Sequence, residues 1–306
     1  MENQNPVKIY TAVLLAMICF ALSFVWFKVA NVSYGPLTIV LFRLAISSVL
    51  LIPVLKATKR LIIPGKKDFK YLLLLTFFEP FLYFMGESFG LQYISSTVGA
   101  VIIATIPLVS PFAAYLFYKE RITIKNVLGI IISFLGVTLV IYEIGMGLTA
   151  SPLGVLLQFS AVFSAVGYTV VLHKISNKIN NLSIILFQNI IGAIYFLPFW
   201  LIFEKNRFLS TPFDKDAMLA IAYLAIFAST LAFVFFTYSI RHLGITKANM
   251  FTNMIPVFTA VFSWFILNDQ LNLQKYIGII VVIAGLFLGQ MKRRKKRTSP
   301  DPIPRT

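Results

Sequence analysis

Two carboxylates and a phenol recur at four-residue intervals inside an apolar run: Glu79, Tyr83 and Glu87. On a helix that spacing makes one stripe on one face. An ionised side chain at the centre of a bilayer costs about 2.5–3.5 kcal/mol on insertion scales, so the stripe should face a bundle interior or a wet cavity. Two kinds of chemistry are open to it: binding a cationic group, or taking up and releasing a proton. Arg43, in the preceding apolar run, sits at a depth that reaches both acids. A charge-balanced cluster of the two acids with Arg43 and Lys28, tying the first three runs together, is the competing structural reading. Pro80 follows Glu79 and removes the hydrogen bond to the Thr76 carbonyl. A free carbonyl beside a mid-membrane acid favours hydration.

Further polar or amphipathic side chains interrupt other apolar runs. Trp26, Gln158, Tyr168 and Asn253 are candidate substrate contacts, in company with Ser23, Ser164, Gln188, Asn189 and Asn249. Singly, an Asn or Gln in such a run is more often interhelical glue, worth under about 1 kcal/mol. Pro107 and Pro256 are candidate hinges, each freeing a carbonyl four residues earlier, at Ile103 and Thr252. The chemistry of soluble enzymes is not signalled. His173 and His242 are isolated, and no HExxH, GxSxG or P-loop pattern occurs. The single Cys19 excludes an internal disulfide framework and a cysteine-based metal site. Neither a cofactor nor a metal is expected.

The elements that position these residues follow from composition. Hydrophobic residues make up 58% of the chain and charged residues 12%, against about 25% charged in a soluble domain. The apolar residues come in runs of about 20, the length that crosses ~30 Å of hydrocarbon as a helix. Ten spans are expected, at 9–30, 36–55, 70–90, 97–118, 125–142, 152–172, 182–203, 217–240, 246–267 and 275–291. The first is too long for a signal-peptide core and lacks a small-x-small cleavage site. With the N-terminus in the cytoplasm, 21 Lys and Arg fall in inner segments and 4 in outer ones, which places both termini inside. The net charge of +16 is thereby explained by membrane topology rather than by nucleic acid. The basic run 292–297 anchors the end of the last span against anionic lipid. Glu120 and Arg121 read as a local ion pair or helix-end anchor.

The chain also repeats itself. Residues 89–140 lie without a gap on 238–289 at an offset of 149, aligning Pro107 with Pro256, Gly129 with Gly278, Gly136 with Gly285 and Glu120 with Asp269. An earlier pair agrees at an offset of 145, with Leu37, Leu41, Phe42 and Pro53 on Leu182, Leu186, Phe187 and Pro198. Five spans per copy is odd, so the second copy enters the membrane from the opposite side. The expected fold is an all-α polytopic membrane protein of ten transmembrane helices, arranged as two inverted-topology five-helix repeats over 1–146 and 147–291. A basic cytoplasmic tail, 292–306, follows. Inverted repeats with a polar site at their interface are the architecture of many secondary transporters.

On Tyr93, Ala100, Pro107, Glu120-Arg121, Gly129 and Gly136-Val137, and on Pro256, Asp269, Gly278 and Gly285, the chain resembles the drug/metabolite transporter superfamily in its EamA-type, ten-helix branch. Two departures stand out: Ala21-Leu22 replaces a common Trp-Gly pair, and the third span carries two acids. The resemblance implies a secondary carrier of small organic metabolites, often an exporter of amino acids or related compounds, working by alternating access. It implies a cavity lined by spans one, three, four, six, eight and nine. The expected partners are a small-molecule substrate and the lipid bilayer, with a coupling proton and a homodimeric assembly as further candidates and no nucleic acid. The expected location is a plasma membrane, the bacterial inner membrane. An integral-membrane enzyme or a lipid scramblase is the alternative function.

Overall fold

In the computed structural model, residues 6–119, 122–143, 147–148, 150–172, 174–175, 179–243, 248 and 251–290 are described. Glu120, Arg121, His173, Asn249 and the tail from 291 onward lie outside them. Nine described helices are long and apolar enough to cross a membrane, and a tenth is shorter. We number them α1 (Pro6–Asn31), α2 (Pro36–Ala57), α3 (Lys66–Tyr93), α4 (Ser96–Tyr118) and α5 (Ile124–Ile141) in the first half. The second half holds α6 (Pro152–Leu172), α7 (Asn181–Ser210), α8 (Lys215–Ile240), α9 (Thr252–Leu267) and α10 (Leu273–Gln290). A two-residue antiparallel ladder, pairing Tyr142 with Leu148 and Glu143 with Gly147, lies between the halves. Hydrocarbon offers the backbone no partner, so each span satisfies its own N–H and C=O groups as a helix. Large apolar side chains such as Leu116, Phe117, Leu135, Ile202 and Phe203 are left on the outside of the bundle, where lipid would cover them.

Helix packing shows the two-fold relation. α5 packs on α10 and α2 on α7, each helix on its own counterpart. The remaining strong pairs exchange when five is added to each number: α3 with α6 matches α8 with α1, and α4 with α6 matches α9 with α1. Counterparts run antiparallel, which is what inversion requires. Gly129 faces Gly285 and Gly289, whereas Gly136, farther along α5, faces Gly278 and Val282. A Cβ on Gly129 would lie 2.6 Å from the Gly289 Cα, so only glycine permits this backbone approach. Ser133 Oγ seals the same seam by donating to the Val282 carbonyl at 3.1 Å.

Several spans are not straight, and each break has a local cause. α4 is interrupted at Ala104 and Thr105, just before Pro107. α9 opens with a 3₁₀ turn, Thr252–Met254, just before Pro256. Both prolines therefore sit at the start of a helical segment, where their missing N–H costs nothing. α3 kinks at Glu79-Pro80, within Phe77–Leu82, where Glu79 leaves helical angles between two helical stretches, whereas α8 widens into π-type turns over Leu224–Leu231 and α7 over Trp200–Glu204. Two spans also outrun their sequence limits: α3 begins at Lys66, and α7 continues to Ser210 instead of stopping near 203. The extra turns of α7 are held by Phe208, whose ring packs on Tyr34, Phe42 and Trp200 at 5.2–5.9 Å.

Candidate functional site

The third span carries the acids, but not as one regular stripe. Glu79 has extended backbone angles (φ −140°, ψ 118°) at the kink. The 100° step per residue therefore fails between Glu79 and Tyr83. Beyond the bend, α3 is regular again, and Tyr83 donates its hydroxyl to Glu87 Oε1 at 2.8 Å. Both of these side chains are buried. Glu79 keeps partial exposure, and Tyr168 of α6 lies in its electrostatic field. The backbone carbonyl of Glu79 accepts from Gln188 Nε2 of α7 at 2.8 Å, and Gln188 is also within hydrogen-bonding reach of the Tyr168 phenol.

Arg43 enters from α2. It is 6% exposed, lies in the field of Glu87 and Tyr83, and holds its guanidinium carbon 4.5 Å above the Phe84 ring. Its Nε donates to Ser229 Oγ on α8 at 3.1 Å. Around that contact a polar node forms: Ser47 Oγ donates to the Ser229 carbonyl (3.2 Å) and lies 3.0 Å from Thr230 Oγ1, and Asn189 Nδ2 donates to Ser47 Oγ at 2.9 Å. A buried guanidinium is tolerable only with such partners. Five helices thus meet at the acids: α2, α3, α6, α7 and α8. The resemblance implied a lining from spans one, three, four, six, eight and nine. The structure adds α2 and α7, because these cross beside the α3 and α8 bends.

The other candidate residues fall elsewhere in part. Gln158 is fully buried and donates to the Glu87 carbonyl at 3.0 Å, while its Oε1 has no partner. Trp26 packs on Tyr223 and Phe227 of α8 at 5.4 and 5.6 Å. Asn253 accepts from Gln290 of α10 at 3.0 Å, so it joins the α9–α10 seam and not the acids. Lys28 lies in the field of Asp269 and does not join a cluster with Arg43. Ser47, Ser229 and Thr230 were not singled out from sequence. A Ser or Thr in an apolar helix is common enough to carry no signal until the bend is seen. Along the α3–α6 seam runs an apolar groove of about 590 Å³, lined by Phe78, Leu82, Met85, Phe89, Leu157 and Phe163 among others.

Comparison with known proteins agrees with this architecture. The EamA-like transporter family model matches residues 7–142 and again 152–289. The uncharacterized transporter YetK of Bacillus subtilis is 28% identical over 243 residues, covering 78% of this chain and 72% of that protein. An uncharacterized transporter of Archaeoglobus fulgidus is 24% identical over 290 residues, covering 94% of this chain and 99% of its own. A solved crystal structure matches with a TM-score of 0.65 over 93% of this chain and 96% of that one, at 14% identity, a likeness of fold alone. These relatives are named as transporters and not as enzymes. With two matched copies, ten membrane helices and reciprocal packing between halves, this chain is an integral membrane protein and a member of the EamA-like transporter family.

Proposed function

We propose that this protein is a secondary carrier that exports a small organic metabolite by alternating access, with its site between the two halves at the α3 bend. The observation that carries the reading is the asymmetry of the two acids. Glu87 is hydrogen-bonded by Tyr83 and lies near Arg43, whereas Glu79 is partly exposed, with Tyr168 in its field and Gln188 on its backbone carbonyl, both of them neutral. Two carboxylates against one guanidinium leave the group one negative charge in excess. A substrate with an amino group, such as an amino acid or a related amine, answers that charge. A proton on Glu79 would do so between substrates, which makes it the candidate coupling group. Gln158, Trp26 and Asn253 extend the candidate contacts, and the breaks before Pro107 and Pro256 are the candidate hinges of opening. The lysine and arginine distribution supports cytoplasmic termini, and the proposed location is the plasma membrane.

The scramblase alternative fits less well. A lipid headgroup needs a polar track along the surface, and the α3–α6 groove is lined mainly by Phe, Leu and Met, with Ser160 and Ser164 as its polar side chains. The test is uptake of radiolabelled amino acids and amines into vesicles reconstituted with the full chain, under an imposed pH gradient. Gradient-driven uptake should vanish in Glu79→Gln. Undiminished uptake in that variant would remove Glu79 from both roles, and uptake that ignores the gradient would remove the proton.

A further inference from the structure

α3, kinked at Glu79-Pro80, and α8, widened over Leu224–Leu231, are counterparts, and the same pair of positions holds each of them from the opposite half. The 149-residue offset continues back through both bends: Leu75, Phe78 and Leu82 of α3 fall on Leu224, Phe227 and Leu231 of α8, and Pro80 falls on Ser229. The 145-residue offset of the second spans places Arg43 on Gln188 and Ser47 on Gly192. The Ser47–Ser229 and Gly192–Pro80 contacts obey both offsets at once, and the Arg43 and Gln188 contacts agree to within one residue, the counterpart of Glu79 being Ala228. Arg43 and Ser47 of α2 reach Ser229 of α8. Gln188 of α7 reaches the Glu79 carbonyl of α3, and Gly192 lies against Pro80, where a Cβ would come within 2.5 Å of the proline Cγ.

We propose that Arg43 with Ser229, and Gln188 with the Glu79–Pro80 backbone, are two symmetry-equivalent hinge clamps, each half of the protein holding the bend of the other. Arg43, Ser229 and Gln188 are positioning residues in this role. A kink or a π-type turn leaves carbonyls without their usual partners, and in hydrocarbon these must be met by side chains. In α8, Thr230 Oγ1 donates to the Ala225 carbonyl five residues back at 2.9 Å, and Ser47 serves the Ser229 carbonyl. In α3, Pro80 supplies no N–H, and of the carbonyls at the kink that of Phe78 is met by Ser164 of α6 and that of Glu79 by Gln188 of α7. The clamps differ in one respect. Gln188 is neutral, while Arg43 is a cation in the field of Glu87. Only the α8 clamp is therefore linked by charge to the acids of α3. A change at Glu87, by proton or by substrate amine, alters the grip of Arg43 on the far half's bend. In an alternating-access cycle this ties occupancy of the site to the shape of α8. That consequence rests on the carrier reading; the clamp geometry does not.

Amide hydrogen exchange of the purified full chain in detergent micelles tests the pairing without a substrate. Ser229→Ala should raise exchange over 224–231 about tenfold and leave 77–82 unchanged, because local opening follows the loss of local hydrogen bonds. Gln188→Ala should do the reverse. Arg43→Gln, which copies the side chain used at the other clamp, should loosen 224–231 by about threefold, less than Arg43→Ala paired with Glu87→Gln. Loosening of both bends together in Ser229→Ala, or of neither in both single variants, would overturn the pairing. The two proposals separate cleanly. A crosswise exchange pattern without gradient-driven uptake keeps the clamps and removes the carrier. Uptake without the crosswise pattern does the opposite.

Discussion

The α2–α7 pair has two ends, and the same task is solved differently at each. At the end away from the N-terminus, α2 starts at Gly35-Pro36 with no side-chain cap of its own. Glu204, near the end of α7, reaches across instead. Its carboxylate accepts from Leu37 N at 3.1 Å, Thr38 N at 2.7 Å and Thr38 Oγ1 at 2.7 Å, and the residue is buried. A carboxylate on first-turn amides also meets the positive end of the helix dipole. At the N-terminal end, α7 caps itself: Asn180 Oδ1 accepts from Ser183 N at 2.9 Å, and Asn180 Nδ2 donates to the Arg60 carbonyl. The 145-residue offset equates Gly35 with Asn180 and Glu204 with Lys59. One end is therefore closed by a buried charge donated from the opposite half, and the other mainly by a neutral local cap. The lesson is that a duplicated fold conserves the need to close a helix end, not the means. The first end is the more dependent on a single side chain.

The largest way to break this comparison is Glu204→Ala. It strands two buried amides and a hydroxyl, and should cost about 2–4 kcal/mol in the thermal stability of the purified protein. A membrane-impermeant maleimide should then label a cysteine placed at the buried Ala30 about tenfold faster. Unchanged labelling would mean that this end is closed by its aromatic contacts alone. Asn180→Ala should be milder, about 1 kcal/mol as for an ordinary lost N-cap, with labelling at Ala30→Cys unaffected. A third variant, Lys59→Glu, places a carboxylate at the counterpart of Glu204. Lys59 has a left-handed backbone (φ 52°) just past the end of α2, whereas Glu204 is carried on a helix that continues. The new carboxylate should miss α7, and stability should stay within about 0.5 kcal/mol of the parent. A clear stabilisation would show that charge, not helix length, separates the ends.

The smallest effect concerns pH. Asp214 caps α8 by accepting from Asp216 N and Ala217 N at 3.0 and 3.1 Å, and it accepts from Ser33 Oγ in the α1–α2 turn. The Ser33 hydroxyl first, then these amides, hold its carboxyl below the usual carboxylate range. A depressed carboxylate contributes stability above its unfolded value of about 3.9 and loses it as pH falls through its lower folded value. The Ala30→Cys labelling rate, corrected for thiolate ionisation, should thus be flat between about pH 5 and 8, with Asp214→Asn shifting it less than twofold. A step near neutral pH would point to a different titrating group in this seam.

Much of the architecture was legible in the chain. Runs of apolar residues set the ten helices, because hydrocarbon leaves the backbone no other solution. The fixed offsets revealed the duplication, and an odd number of spans per copy implied the inversion that the antiparallel α5–α10 and α2–α7 pairs display. Gly129, Gly136, Gly278 and Gly285 read as a close-packing face, and the structure puts them at one seam. The prolines marked where α4 and α9 break. Within the site, Tyr83 and Glu87 stand one turn apart as expected, yet Glu79 leaves their stripe. Pro80 was visible, but the depth of the bend depends on how α6 and α7 receive it, through Ser164 donating to the Phe78 carbonyl at 2.6 Å and Gln188 to that of Glu79.

By itself, then, the sequence determined the helices, their number and their two-fold relation, and it flagged the ionisable groups that a bilayer would not tolerate on its outside. These are local or periodic properties, set by transfer free energy and by the pitch of a helix. Only the tertiary structure decided partners: Arg43 with a serine 186 residues away, Glu204 with the start of α2, Asn253 with α10 instead of with the acids. Such choices depend on the angle and register at which helices cross, and these arise from the packing of whole faces that no single stretch of the chain encodes.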